Sequence, residues 1–114
     1  MNIQIFGSSK CFDTKKAQRY FKERNVKFQF IDVAKFSMSM GEFNNISRAI
    51  GGGVDALINQ KSKKIDSSFI NYLASEEAKI EKLLDTPELF KTPIVRNGKK
   101  ATLGFCPEIW KEWE

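Results

Sequence analysis

The residue best placed to do chemistry in this chain is Cys11. It closes the stretch Ser8-Ser9-Lys10-Cys11, between an apolar run at 3–6 and a helical pattern carrying Ala17, Tyr20, Phe21 and Arg24 on one face. That order predicts a strand, a tight loop and a helix, with the cysteine at the junction. Gly7 offers the backbone freedom such a loop needs, and Asp13 or Thr14 suits the helix N-cap. A cysteine there meets unpaired backbone N–H groups and the positive end of the helix dipole, both of which favour the thiolate. Lys10, Lys15 and Lys16 add positive charge, and Asp13 partly opposes it. The thiolate is the reactive form, so the position points to a nucleophilic thiol. It equally suits a small cysteine buried beneath the helix.

The rest of the composition narrows the chemistry by exclusion. The 114 residues include two cysteines, Cys11 and Cys106, and no histidine. Cys–His pairs, histidine bases and histidine-ligated metals are therefore excluded. Two cysteines do not make a four-ligand zinc site of the usual Cys/His kind, so no metal is expected. One pair of cysteines is also a poor disulfide framework. The chain carries a net charge of +5, densest at Lys61, Lys63 and Lys64 and then at Lys99 and Lys100. Such clusters can bind phosphates, but no aromatic residue is interleaved with these, and a nucleic-acid partner is not expected. No apolar run approaches the roughly 20 residues of a membrane span, and the start of the chain lacks the apolar core of a signal peptide. The expected setting is the reducing cytoplasm, without a membrane partner.

The elements that must hold Cys11 follow from periodicity. Residues 26–33 alternate at Phe28 and Phe30, a strand signal, so the first three elements form a βαβ unit with parallel strands and a right-handed crossover. From Ser39 a helical pattern carries Phe43, Ile46 and Ile50 on one face and stops at Gly51-Gly52-Gly53. That triple glycine follows a helix and lacks a Gly-Lys-Ser/Thr ending, so it reads as a cap and turn rather than a phosphate loop. Residues 54–58 suit one helical turn. Asp66 is the expected N-cap of a helix over 67–74 with Phe69, Ile70 and Leu73 inward. Glu76 and Glu77 lead another, with Ile80, Leu83 and Leu84. Strand signals return at 94–96 and 101–103 around Asn97-Gly98, a strong hairpin signal. Pro107 suits the first position of a closing helix, with Ile109, Trp110 and Trp113 as its apolar face. The expected architecture is a single α/β domain over 1–114: a thioredoxin-like mixed sheet, βαβ then ββα, with a helical insertion at about 37–90.

Two segments carry a family resemblance. They are Lys10-Cys11-Phe12-Asp13-Thr14-Lys15-Lys16-Ala17 and Lys91-Thr92-Pro93-Ile94-Val95-Arg96-Asn97-Gly98, the latter continuing through Leu103-Gly104-Phe105-Cys106-Pro107-Glu108. With them the chain resembles the arsenate reductase/Spx family of thioredoxin-fold proteins, most nearly its YffB-like branch. The resemblance implies that Cys11 is the attacking thiol, that Thr92–Pro93 is a cis bond beside it, and that Lys10, Asn59, Thr92 and Pro93 bind substrate. It implies a thiol-dependent oxidoreductase with no bound cofactor, regenerated by glutathione, glutaredoxin or thioredoxin. Its substrate would be a small oxyanion or another thiol. In the arsenate reductases of this family three arginines hold the oxyanion. Asn59, Thr92 and Cys106 stand in their places, and losing guanidinium forks removes the strongest grip on arsenate.

The same resemblance supports a second class of function, an Spx-like redox-responsive regulator that binds a protein partner without catalysis. That branch usually carries a Cys-x-x-Cys switch, and here the fourth position is Thr14. The family fold also brings the residue at Cys106 into the pocket of the nucleophile, which suggests Cys106 as a resolving thiol that condenses with oxidised or adducted Cys11. A small residue capping the last helix is the alternative.

Overall fold

The computed structural model describes residues 1–113; Glu114, the last residue of the expected 1–114 domain, lies outside the described residues. Four strands form one sheet in the order β2-β1-β3-β4. Strand β1 (Ile3–Gly7) runs parallel to β2 (Phe28–Asp32) and antiparallel to β3 (Ile94–Asn97), which pairs in turn with β4 (Lys100–Leu103). This is the expected βαβ unit followed by ββα. Gly98 turns the hairpin at φ +60°, a left-handed conformation open to glycine at little cost.

The apolar residues of the sheet divide between its two faces. Ile3, Ile5 and Val95 pack with Ala17, Tyr20, Phe21 and Trp110, from α1 (Phe12–Glu23) and α5 (Pro107–Trp113). Phe6 and Ile94 pack instead against the 37–90 segment, including Phe43, Ile46, Leu57, Leu83 and Leu89. The alternation of side chains along a strand produces this division, and it puts the Cys11 helix and the closing helix on the same face.

The insertion forms as its capping residues direct. Ser39 opens α2 (Met40–Ile50) with a reciprocal capping box to Glu42, and Ser75 caps α4 (Glu76–Asp85) by accepting from Ala78 N–H. Residues 67–74 differ from expectation. Helix α3 is only Ile65–Ser68, beginning after Lys64 rather than Asp66. Phe69 then adopts φ +57° and turns its ring outward, 63% exposed, while Ile70 stays buried. Deep burial of Ile70 and a hydrogen bond from Ile70 N–H to the Ser68 hydroxyl hold this break, against the helical periodicity that placed Phe69 inward. A short bridge, Ile58 to Phe90, also lies inside the segment expected to be wholly helical. It matters for function because Asn59 N–H donates to Leu89 C=O and Lys91 N–H to Leu57 C=O, which anchors the chain just before Thr92.

Candidate active site

Cys11 is itself the N-cap of α1, which begins at Phe12; the cap lies two or three positions before the expected Asp13 or Thr14. Its N–H donates to Ser8 C=O at 3.0 Å and its own C=O accepts from Lys15 N–H at 3.2 Å. Thr14, one of the two expected caps, lies inside the helix instead. It is completely buried, and its hydroxyl accepts from Ser8 N–H at 3.4 Å. This explains Gly7 differently from the sequence reading. A Cβ on Gly7 would lie 2.4 Å from Thr14 Cγ2 and 2.5 Å from its Oγ1. Gly7 has no left-handed backbone to accommodate; it makes room for Thr14.

The opposite wall is the Thr92–Pro93 peptide, which is cis as the resemblance implies. The protonated Cys11 thiol lies 3.6 Å from Thr92 C=O and donates to it. In that form no capping bond reaches the sulfur. Burial of Cys11 alone would push its pKa up. The Thr14 and Thr92 hydroxyls, followed by the backbone N–H groups of Thr14 and Asp13, outweigh burial and hold it below the ordinary thiol value. Hydrogen bonding to the charged form favours it, so the site shifts Cys11 toward the thiolate.

Cys106 behaves differently. It sits just before α5, where its C=O accepts from Ile109 and Trp110 N–H, and its thiol donates to Leu103 C=O at 3.1 Å. Burial raises its pKa, with a smaller opposing contribution from the Thr102 hydroxyl. Both cysteines are half-buried free thiols, one held toward the thiolate and the other toward the thiol.

The two cysteine loops are neighbours. Gly104 N–H donates to Pro93 C=O at 2.8 Å, so the loop leading to Cys106 is bonded to the residue next to Thr92, whose carbonyl accepts from Cys11. From the other side, Lys16 Nζ lies 5.5 Å from the Phe12 ring centre and 4.7 Å from that of Phe105. The contact of the Cys11 thiol with the Thr92 carbonyl brings Cys11 to the Thr92–Pro93 peptide. Lys10 is exposed next to Cys11, its N–H bonded to the Ser8 hydroxyl. Asn59 has no hydrogen bond to this group; its side chain accepts from Lys61 N–H and closes a local turn. Sequence reading missed Thr14, Lys16 and Phe105 as site residues. Thr14, three positions after Cys11, was the one signal available.

A model described as the ArsC family matches residues 6–113. The chain belongs to the ArsC family. Among curated relatives, the global transcriptional regulator Spx 2 of Oceanobacillus iheyensis is 28% identical over 131 residues, covering 100% of this chain and 94% of that protein. Among solved structures, an arsenate reductase from Vibrio cholerae superposes with a TM-score of 0.86 at 21% identity, covering 98% of this chain and 97% of that one. The glutaredoxin-like NrdH-redoxin of Escherichia coli does so at 0.51 and 16% identity, covering 100% and 96%. These two likenesses concern the fold, which is thioredoxin-like. As an ArsC-family member the chain has no arginine bonded to Cys11, Thr92 or Pro93 among the described residues. Arg24 stacks on Tyr20 at 3.7 Å, and Arg96 bonds Gln4 and Gly98 C=O. Arg19 lines a groove with Lys22 and Phe28, and Arg48 lies in the last turn of α2. No helix among the described residues is long and apolar enough to cross a membrane.

Proposed function

We propose that the chain is a thiol-dependent oxidoreductase of the reducing cytoplasm in which the Cys11 thiolate attacks a disulfide or an adducted sulfur. The observation that carries this reading is the placement of Cys11 at the N-cap of α1 with its thiol 3.6 Å from the carbonyl of the cis Thr92–Pro93 peptide, where Thr14 and Thr92 lower its pKa. In the reaction, Cys11 sulfur bonds to one sulfur of the substrate disulfide, the old S–S bond breaks, and the leaving sulfur departs as a thiolate that takes a proton from water. A second thiol then attacks the mixed disulfide and returns Cys11 to its thiolate. Glutathione, glutaredoxin or thioredoxin can supply that thiol and the two electrons. If its side chain turns from Leu103 C=O, Cys106 instead attacks the Cys11 sulfur of the adduct, forming a Cys11–Cys106 disulfide and releasing the substrate sulfur as a thiolate, and one of those reductants then reduces that disulfide. The bond from Gly104 N–H to Pro93 C=O, beside the Thr92 carbonyl that accepts from Cys11, favours that reading. Arsenate is a poor substrate here, because neutral Asn59, Thr92 and Cys106 replace guanidinium donors against a multiply charged anion.

The test is turnover of bis(2-hydroxyethyl) disulfide with glutathione, glutaredoxin or thioredoxin as reductant. Activity is expected in the wild type and its loss in Cys11→Ser; equal activity in Cys11→Ser overturns the reading. Mild peroxide followed by non-reducing peptide mapping addresses Cys106. A Cys11–Cys106 disulfide is expected, and only mixed disulfides or overoxidised Cys11 would remove the resolving role.

The relationship to Spx 2 supports a second reading, a redox-responsive regulator that binds a protein partner. Its mark would be a modified Cys11 that changes partner binding while no thiol supports turnover.

A further inference from the structure

We infer that the surface formed by Phe12, Lys16, Phe105 and Ile109 selects peptide disulfides bearing an apolar side chain and a carboxylate beside the reacting sulfur. The inference rests on the thiol reading above and names the substrate class for that site. Phe12 directly follows the nucleophile and leaves 73% of its surface exposed. An aromatic ring so exposed at the start of a helix contributes nothing to the core and offers a contact face. Across from it, Phe105 stands edge-on to fully buried Trp110, with ring centres 5.5 Å apart and planes at 86°, so its position is fixed by the core. Between the two rings lies the Lys16 ammonium. Two rings confine this cation, which limits the ordering entropy a carboxylate must overcome to pair with it.

Beyond Phe105 the surface continues into a cleft of about 320 Å³ lined by Phe105, Cys106, Pro107, Glu108 and Ile109. Ile109, expected to face inward, is 47% exposed there. That volume admits one apolar side chain. Glu108 lies in the same lining and disfavours a carboxylate beside it, which leaves the Lys16 end for the acidic group. The loop that carries the cleft is tied to the Cys11 site, because Gly104, next to Phe105, is bonded to Pro93, and the Thr92 carbonyl accepts from the Cys11 thiol. The bond-forming step is the exchange already described, so no further oxidant or reductant is needed.

The test is the single-turnover rate of mixed-disulfide formation at Cys11, read by mass spectrometry. The probes are a Gly-Phe-Cys-Asp peptide and a Gly-Gly-Cys-Asn peptide, each as its disulfide with 2-mercaptoethanol. The first is expected to react about tenfold faster, the combined gain from partly covering an aromatic ring and from an exposed ion pair. Phe12→Ala should remove most of that ratio. Lys16→Gln should reduce it roughly two- to fivefold, as for an exposed ion pair, while Lys22→Gln, an equal charge loss in the last turn of α1, should leave it intact. A wild-type ratio near one, or a ratio unmoved by both Phe12→Ala and Lys16→Gln, overturns the inference. Equal losses in Lys16→Gln and Lys22→Gln overturn the placed role of the ammonium. If the wild type reacts with bis(2-hydroxyethyl) disulfide no faster than a free cysteine peptide, the thiol reading itself falls, and this inference with it.

Discussion

Thr14→Val isolates what holds Cys11 in its reactive form. Valine keeps the volume beneath Gly7 and removes one hydroxyl that donates to the thiolate. A hydrogen bond to a charged group contributes about 1.5–3 kcal/mol. Cys11 is half-exposed, so solvent replaces part of that, leaving about 1.4 kcal/mol, or a tenfold drop in the thiolate-to-thiol ratio at fixed pH. The more basic thiolate is also a stronger nucleophile, with a Brønsted coefficient of about 0.4–0.5 that returns roughly threefold. The expected profile of iodoacetamide rate against pH therefore crosses that of the wild type. Thr14→Val is about threefold slower near neutral pH and about threefold faster once both proteins are fully ionised. Thr14→Ser, which keeps the hydroxyl, should follow the wild type. Coincident profiles for wild type and Thr14→Val would refute the assignment of Thr14 as a thiolate donor. So would equal displacement of both variants, which would implicate packing.

The same lowered pKa has a consequence for stability. A depressed folded-state value means that ionised Cys11 contributes stability that is fully present above the unfolded thiol pKa, and that is lost as pH falls through the folded value. Cys106, raised by burial, has the opposite sign: its contribution is present at lower pH and is lost as pH rises through its folded value. Denaturant titrations in a Cys106→Ala background should therefore show stability rising with pH across the Cys11 window, and Thr14→Val should flatten that rise.

Two further expectations concern the surroundings of the thiol. Gly7→Ala should cost about 1–3 kcal/mol, as overpacking does, because its Cβ meets the branched end of Thr14 rather than a flexible tip. Adding Thr14→Ala should recover most of the loss in thermal midpoint, and no recovery would place the strain elsewhere. Thr92→Arg together with Cys106→Arg should give arsenate a guanidinium grip that calorimetry detects at physiological salt, where the wild type binds weakly; tight binding by the wild type would refute the account of the missing arginines.

The fold was legible because its signals are local and agree with one another. Alternating Phe28 and Phe30, the Ser39 capping pattern, Asn97-Gly98 and Pro107 each specify an element without reference to the rest of the chain. Phe69 and Ile109 were misplaced for the converse reason. Helical periodicity says that a face exists, but which residues at its edge are covered depends on what packs there. Phe69 is turned out by a break that buries Ile70, and Ile109 lies at the margin of the face that buries Trp110.

At the site, residue type revealed the nucleophile and concealed its support. Read against a Cys-x-x-Cys pattern, Thr14 registers as a missing thiol. In three dimensions it is a buried hydroxyl that accepts from Ser8 N–H and lowers the pKa of Cys11, where a second cysteine would have been an electron source. The substitution changes the kind of chemistry rather than removing it. A hydroxyl three residues after the nucleophile stabilises the thiolate but cannot attack an adduct, so the second thiol must come from outside α1. The protein's other cysteine follows a loop that Gly104 bonds to Pro93, next to the Thr92 carbonyl that accepts from Cys11, and burial raises its pKa. A lowered pKa at Cys11 favours it both as attacking thiolate and as leaving sulfur, whereas Cys106, raised by burial, has to lose its proton before it can attack an adduct.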